Sequence, residues 1–375
     1  IEVVGISLGA VGVLLGANRL IRIPGNLLAG ALNDRMARRR LFLLGLLLGI
    51  LSTLGYGLVR GFWPLLVARL LWGTAWALIN VTGYNMVLDW STPVDRGRMT
   101  GFYQMAFLIG LAFSPLLGGL LTDALGFRPA VRICAAISAA GLALAFVALP
   151  ETKHRVTNPE PTFWSGVQRQ RAASSVSAWR QVDRRLLRAA YISLVTFFVN
   201  AGVMMSTIGL YLGQRWGKSV SIGGVLIGVA SLAGLMLALR ALLGMLAGPV
   251  AGAVSDWLED RWPVVRVGIL LGTDGFVILA LPGHLWTIPV GVALVALSVG
   301  GLLTALYALV GDLSSEERQG ITIGGLATAG DIGSATGPLV AYALAAVLDL
   351  RWVYLICAVI LTSALVATLG MGRSD

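Results

Sequence analysis

Apolar residues in this chain come in long runs, and charges are confined to short gaps between them. A run of about eighteen or more mostly apolar residues is what a helix needs to cross hydrocarbon. Eleven such runs are present, at 5–32, 41–60, 64–89, 100–123, 129–149, 189–213, 221–254, 264–281, 287–311, 320–347 and 351–371. A single long polar stretch, 151–188, lies between the fifth and the sixth. It carries eight Lys and Arg, Asn158-Pro159 and an Ala-Ser-Ser run, and it predicts a linker with a short amphipathic helix towards its end. The expected organisation is an N-terminal bundle at 1–149, a cytoplasmic linker at 150–188 and a C-terminal bundle at 189–375.

Composition agrees with this pattern. The 375 residues are 57% hydrophobic and only 12% charged, with a mean hydropathy of +0.83. Soluble domains carry about 25% charged residues, so an all-α integral membrane protein is predicted. The net charge of +10 sits in blocks between apolar runs instead of on a basic face, which argues against nucleic-acid binding. Alternate connectors hold eighteen Lys and Arg against five on the opposite side. The richer side is therefore cytoplasmic, in a multi-pass protein of the cell membrane. Cys134 and Cys357 fall inside apolar runs and read as small buried residues, while His154 and His284 lie in connectors. No metal site, cofactor or enzyme chemistry is expected.

An internal repeat gives the architecture. Gly30-Ala-Leu-Asn-Asp34 reappears as Gly252-Ala-Val-Ser-Asp256, and Asp95-Arg96 as Glu317-Arg318, both at an offset of 222. Gly110-x-x-x-Ser114-Pro115 returns as Gly333-x-x-x-Gly337-Pro338 at 223. Duplicated helical bundles are how many secondary transporters are built, with substrate held between the halves. The same offset places one further helix before Ile1, so the eleven runs are expected to be helices two to twelve of twelve.

The stretch Gly30-x-Leu32-x-Asp34-Arg35-x-x-Arg38-Arg39-Arg40 resembles the first-loop signature of the major facilitator superfamily, with Ala37 where that family usually has Gly. Arg69-x-x-x-Gly73-x-x-x-Ala77 is similar to its fourth-helix motif. Gly110-x-x-x-Ser114-Pro115-x-x-Gly118-Gly119 is similar to the fifth-helix motif associated with antiporters. The second-half loop keeps Gly248, Gly252 and Asp256 but lacks the arginine run. The resemblance implies two pseudo-symmetric six-helix bundles that alternate access to a central cleft.

By that resemblance Asp34 latches the cytoplasmic side, with Arg35 and Arg38 as its charge partners and Arg39 and Arg40 setting topology. Arg69 is linked to proton transfer, or else anchors the interface beside Trp63 and Trp72. Gly30 belongs to a small-residue face that includes Ala29 and Asn33. Pro115 and Pro338 interrupt their helices among glycines, either to bend during rocking or as fixed kinks for packing.

Ionisable residues deep in a membrane are functional candidates by default. At about 1.5 Å per residue, Arg19, Arg22, Arg240 and Asp331 lie roughly 18 to 24 Å from the cytoplasmic ends of their helices. Asn18, Arg22, Asn26 and Gly30 recur every four residues and give one polar face. Three arginines against one acid suit an anionic group, which Arg binds in bidentate fashion. A static salt-bridge network is the bland reading. Asp274 reads as structural. Asn80, Tyr84, Asn200, Thr304 and Tyr307 lie on helices that line the cavity in the family. They are candidate substrate contacts, or plain helix–helix hydrogen bonds.

The expected function is movement of a small solute by a monomer in the lipid bilayer. Proton-coupled export of a drug-like or metabolic compound comes first, with Asp331 as the coupling acid. Uptake or exchange of an organic anion is the alternative, and a transporter-like sensor is a third reading. No G-x-x-x-x-G-K segment is present, so a gradient is the expected driving force.

Overall fold

The computed structural model describes residues 5–92, 95–152, 184–282, 285–313 and 319–369. Residues 153–183, most of the linker and part of the amphipathic helix expected towards its end, lie outside them. Helices dominate. They are α1 Leu8–Leu20, α2 Arg22–Arg35, α3 Arg38–Leu58, α4 Phe62–Trp90, α5 Arg96–Leu125 and α6 Phe127–Ala148. Next come α7 Arg184–Phe197, a π-helical turn π1 Phe198–Met204, and α8 Met205–Trp216. A hairpin of β1 Ser219–Ile222 and β2 Val225–Gly228 leads into α9 Val229–Trp257, α10 Trp262–Ala280, α11 Thr287–Leu313, α12 Gln319–Ala345 and α13 Leu350–Val366. Eight of these spans are long and apolar enough to cross a membrane among the described residues, with α7 to α8 counted as one.

Two boundaries differ from the sequence reading, for identifiable reasons. The run 5–32 is two helices joined at Ile21, because Pro24 has no N–H to continue the ladder of α1 and its ring crowds the preceding turn. The run 221–254 does not begin as helix. Gly223 and Gly224 both take positive φ, 59° and 83°, the condition for a tight primed turn, and residues 219–228 pair as antiparallel strands around it.

Contacts divide the chain into two compact units, Ile1–Asn158 with Gly209–Leu235, and Pro159–Ile208 with Met236–Asp375. Lipid tails are as apolar as leucine, so helix association here comes from close packing and hydrogen bonds more than from burial. In the first unit Gly45 of α3 faces Leu78 and Ile79 of α4, and Ser52 donates to the Ala68 carbonyl at 2.7 Å. Leu41, Leu78, Val81 and Ala29 form its core. In the second unit Gly272 and Gly275 of α10 seat against Ser298 and Val295 of α11. Thr207 and Tyr354 share a hydrogen bond of 3.1 Å beside Phe276. Exposed Trp63, Trp90, Trp257, Trp286 and Trp352 sit at or next to helix ends, the place for interfacial aromatics.

Candidate substrate and gating residues

The second unit gathers four of the polar residues singled out in the sequence. π1 contains one wide turn, and such turns are common at functional sites because they re-aim side chains. Asn200 sits in that turn, buried, and its Oδ1 accepts a hydrogen bond of 3.0 Å from Nε of Arg240 on α9. Asp331 of α12 is exposed and lies within electrostatic reach of the half-buried Tyr307 of α11. Arg240 and Asp331 thus enter one unit on adjacent elements with an amide and a phenol. Thr304 behaves otherwise. Its hydroxyl donates to the Gly300 carbonyl at 2.8 Å, and its side chain fills the space over Gly248 and Gly252 of α9. It packs α11 against α9.

The first unit holds a separate group. The Arg22 guanidinium lies over the Trp76 ring at 5.0 Å, and Trp76 meets Phe107 of α5 at 5.4 Å. The amide oxygens of Asn18 and Asn26, one turn either side of Arg22, are buried acceptors without a hydrogen bond among the described residues. Tyr84 packs edge-on to Tyr103 at 5.0 Å, and Asn80 and Arg19 are half-buried nearby in sequence on α4 and α1. Arg69 rests on the Tyr56 ring of α3 at 4.8 Å. Motif residues Gly73 and Ala77 of α4 accept the α1–α2 joint: a Cβ on Gly73 would meet Ile21 and Asn18, and Gly25 abuts Ala77.

The first loop, 33–40, is wired differently from expectation. Arg38 pairs with Asp89 of α4, not Asp34, and also donates to the Asn85 carbonyl at 2.8 Å. Asp34 and Arg35 are exposed. Glu151 accepts from the backbone N–H groups of Arg38 and Arg39 at 3.0 and 3.2 Å, capping α3 from the far end of the unit's sequence. Arg39 does more than set topology: it stacks on Phe146 and donates to that residue's carbonyl. Gly30 has no neighbour where a Cβ would project, so close approach is made instead by Ala29 and by Asn33, which donates to Thr82 at 3.0 Å.

In the second unit Arg261 bridges Asp256 and Asp312, the latter at 3.0 Å. Those hydrogen bonds, to Asp256 and then Asp312, raise the guanidinium above its ordinary value. Arg38 and Asp89 map onto Arg261 and Asp312 at the repeat offset of 223. The sequence reading missed both acids. They were legible, because Asp89 and Asp312 are repeat-matched charges at the ends of apolar runs.

The glycines before Pro338 pack within the second unit. A Cβ on Gly333 or Gly337 would strike the backbone of Leu194, Phe198 or Gly202, on α7 and π1 of the same unit. Pro115 likewise packs within its own unit, where its carbonyl lies against Gly234 of α9.

A family model for the Major Facilitator Superfamily matches residues 1–240 and 230–373. The chain belongs to the major facilitator superfamily. Among curated relatives of this superfamily member, the class C tetracycline resistance protein of Escherichia coli is 26% identical over 349 residues, covering 91% of this chain and 81% of that protein. The multidrug resistance protein MdtG of Salmonella heidelberg is 23% identical over 330 residues, 88% and 77% of the two chains. Among solved structures, a bacterial homologue of the human lysosomal transporter Spinster superposes with a TM-score of 0.78 at 17% identity, covering 98% of this chain and 89% of that one. That likeness shows the fold: an all-α membrane transporter fold of this superfamily.

Proposed function

We propose that this superfamily member is a secondary active transporter of the cell membrane, exporting a drug-like or metabolic compound in exchange for protons by alternating access. The observation that carries the reading is the Asn200–Arg240 hydrogen bond at a π turn, in the same unit as Asp331 and Tyr307. Ionisable residues inside membrane helices are costly in hydrocarbon and are functional candidates by default, and exchange of a proton for a solute gives Arg240 and Asp331 a role. Relatives named for tetracycline and multidrug resistance support export. The protein acts as a monomer.

In proteoliposomes with an imposed pH gradient, Asp331→Asn is expected to abolish gradient-driven flux while counterflow without a gradient persists. Wild-type flux indifferent to the gradient would remove the proton from the scheme. Asn200→Ala releases a hydrogen bond to a charged group, a contribution of about 1.5–3 kcal/mol, so apparent substrate affinity is expected to fall roughly 10- to 100-fold. Unchanged affinity in a folded Asn200→Ala protein would take Asn200 and Arg240 out of the substrate path.

The second reading, uptake or exchange of an organic anion, draws on the same Arg240 and on Arg22, because a guanidinium pairs with a carboxylate through two parallel hydrogen bonds. Competition of flux by small carboxylates but not by lipophilic cations would favour it.

A further inference from the structure

On the outer side, α9 begins without a cap of its own. The first N–H groups of a helix have no partner within it. Position 228 is glycine, with none of the side-chain oxygens that cap helices, yet the first three N–H groups of α9 are all satisfied. Val229 donates to the Lys218 carbonyl at 3.0 Å, across the base of the hairpin. Ser231 and Ala230 donate to the two carboxylate oxygens of Asp123, at 2.6 and 3.4 Å. Asp123 belongs to the last turn of α5, a helix of the first sequence repeat, whereas α9 belongs to the second.

The surroundings are built to fit that carboxylate. A Cβ on Gly228 would stand 2.1 Å from the Asp123 carboxyl carbon. Below it the two backbones touch: a Cβ on Gly119 would lie 2.2 Å from the Ala230 carbonyl oxygen, and one on Gly234 2.3 Å from that of Pro115. Glycine at 119, 228 and 234 is therefore what allows α5 to approach α9 closely enough for Asp123 to reach its end. An open groove beside the contact is lined by Thr122, Lys218 and Ser219.

We infer that Asp123 is an outer gating residue, which holds the outer ends of α5 and α9 together by capping α9 across the repeat. This inference rests on the alternating-access reading, in which helices of the two repeats part on one side at a time. Parting here strips α9 of its cap and leaves two N–H groups to water, so the carboxylate weights the equilibrium towards the state in which these ends are joined.

The test places spin labels at Ala124 on α5 and Leu226 in the hairpin, with Cys134 and Cys357 replaced by alanine, in lipid nanodiscs. Distances are read by electron–electron double resonance. Asp123→Ala, and separately Ser231→Pro, which removes the donor at a helix position that tolerates proline, are each expected to raise the ratio of long to short distances about fivefold, the size of a lost cap. Asp123→Asn keeps an acceptor and is expected to stay within about twofold of the parent. The double variant Asp123→Ala/Ser231→Pro should shift no further than either alone. Distances unchanged in both single variants would overturn the latch, even with transport intact. Shifted distances in a protein that moves no solute would leave the latch standing and remove the transport reading beneath it.

Discussion

Gly333→Ala is expected to lower stability by about 3 kcal/mol, whereas Gly325→Ala in the same helix is expected to raise it by roughly 0.5–1 kcal/mol. Both change one hydrogen to a methyl group within α12. At Gly333 the new Cβ would lie 2.1 Å from the Leu194 carbonyl oxygen and 3.0 Å from the Phe198 nitrogen, and backbone on both sides leaves nothing soft to yield. The helix must back away from α7 and π1. That move also loosens Gly337, whose added Cβ would stand 2.4 Å from the Gly202 Cα. At Gly325 nothing lies within 4 Å, so alanine only restricts the unfolded chain. Gly330→Ala falls between, because its neighbour is the Phe197 ring, a side chain that can rotate. Thermal unfolding of the purified protein in detergent, followed by size-exclusion of the surviving fraction, ranks the three. Equal midpoints for Gly333→Ala and Gly325→Ala would show that α12 is not seated on glycine. Loosening at Gly333 also displaces the turn that holds Asn200, so substrate affinity should fall in parallel with stability.

Much of this molecule is legible in the sequence, and the reasons why the rest is not are physical. Apolar runs report membrane helices because a backbone in hydrocarbon has few alternatives to hydrogen-bonding within its own helix. The break at Ile21 is less visible, since a proline near a helix start is also compatible with a continuous, kinked helix. The hairpin at 219–228 was hidden by its own residues: Val, Ile and Leu flanking Gly-Gly look like the edge of an apolar run until both glycines are known to have positive φ. Among the polar residues, Asn200 and Arg240 were marked and do meet, because depth along each helix is countable. The packing of Thr304 against Gly248 and Gly252 is not legible, because depth says nothing about which way a side chain faces. The resemblance gives Arg38 a partner four positions away at Asp34, whereas the acid it meets is Asp89, at the other end of a different helix. Asp123 is not legible, since a single carboxylate near a connector reads as surface charge until the uncapped start of α9 is set beside it.

Asp89→Ala is expected to cost about 3 kcal/mol, while the repeat-matched Asp312→Ala costs about 1 kcal/mol or less. The two acids answer equivalent arginines, so chemistry alone predicts equal effects. Their surroundings separate them. Arg38 and Asp89 are 13% and 20% exposed, and Thr152 donates to the same carboxylate at 3.0 Å. Removing Asp89 strands a largely buried guanidinium with the Asn85 carbonyl as its remaining hydrogen bond shown, and leaves the buried Thr152 hydroxyl without its acceptor. Asp312 is 58% exposed, and Arg261 retains Asp256 and the Ser255 hydroxyl after its loss. Water and a second acid replace what is removed. Arg38→Ala combined with Asp89→Ala should destabilise less than the two single effects added, by roughly 1–3 kcal/mol, because neither partner is then stranded. Urea unfolding at constant detergent supplies the four corners of that cycle. Additive effects, or equal costs at Asp89 and Asp312, would mean that burial does not distinguish the two repeat-matched pairs.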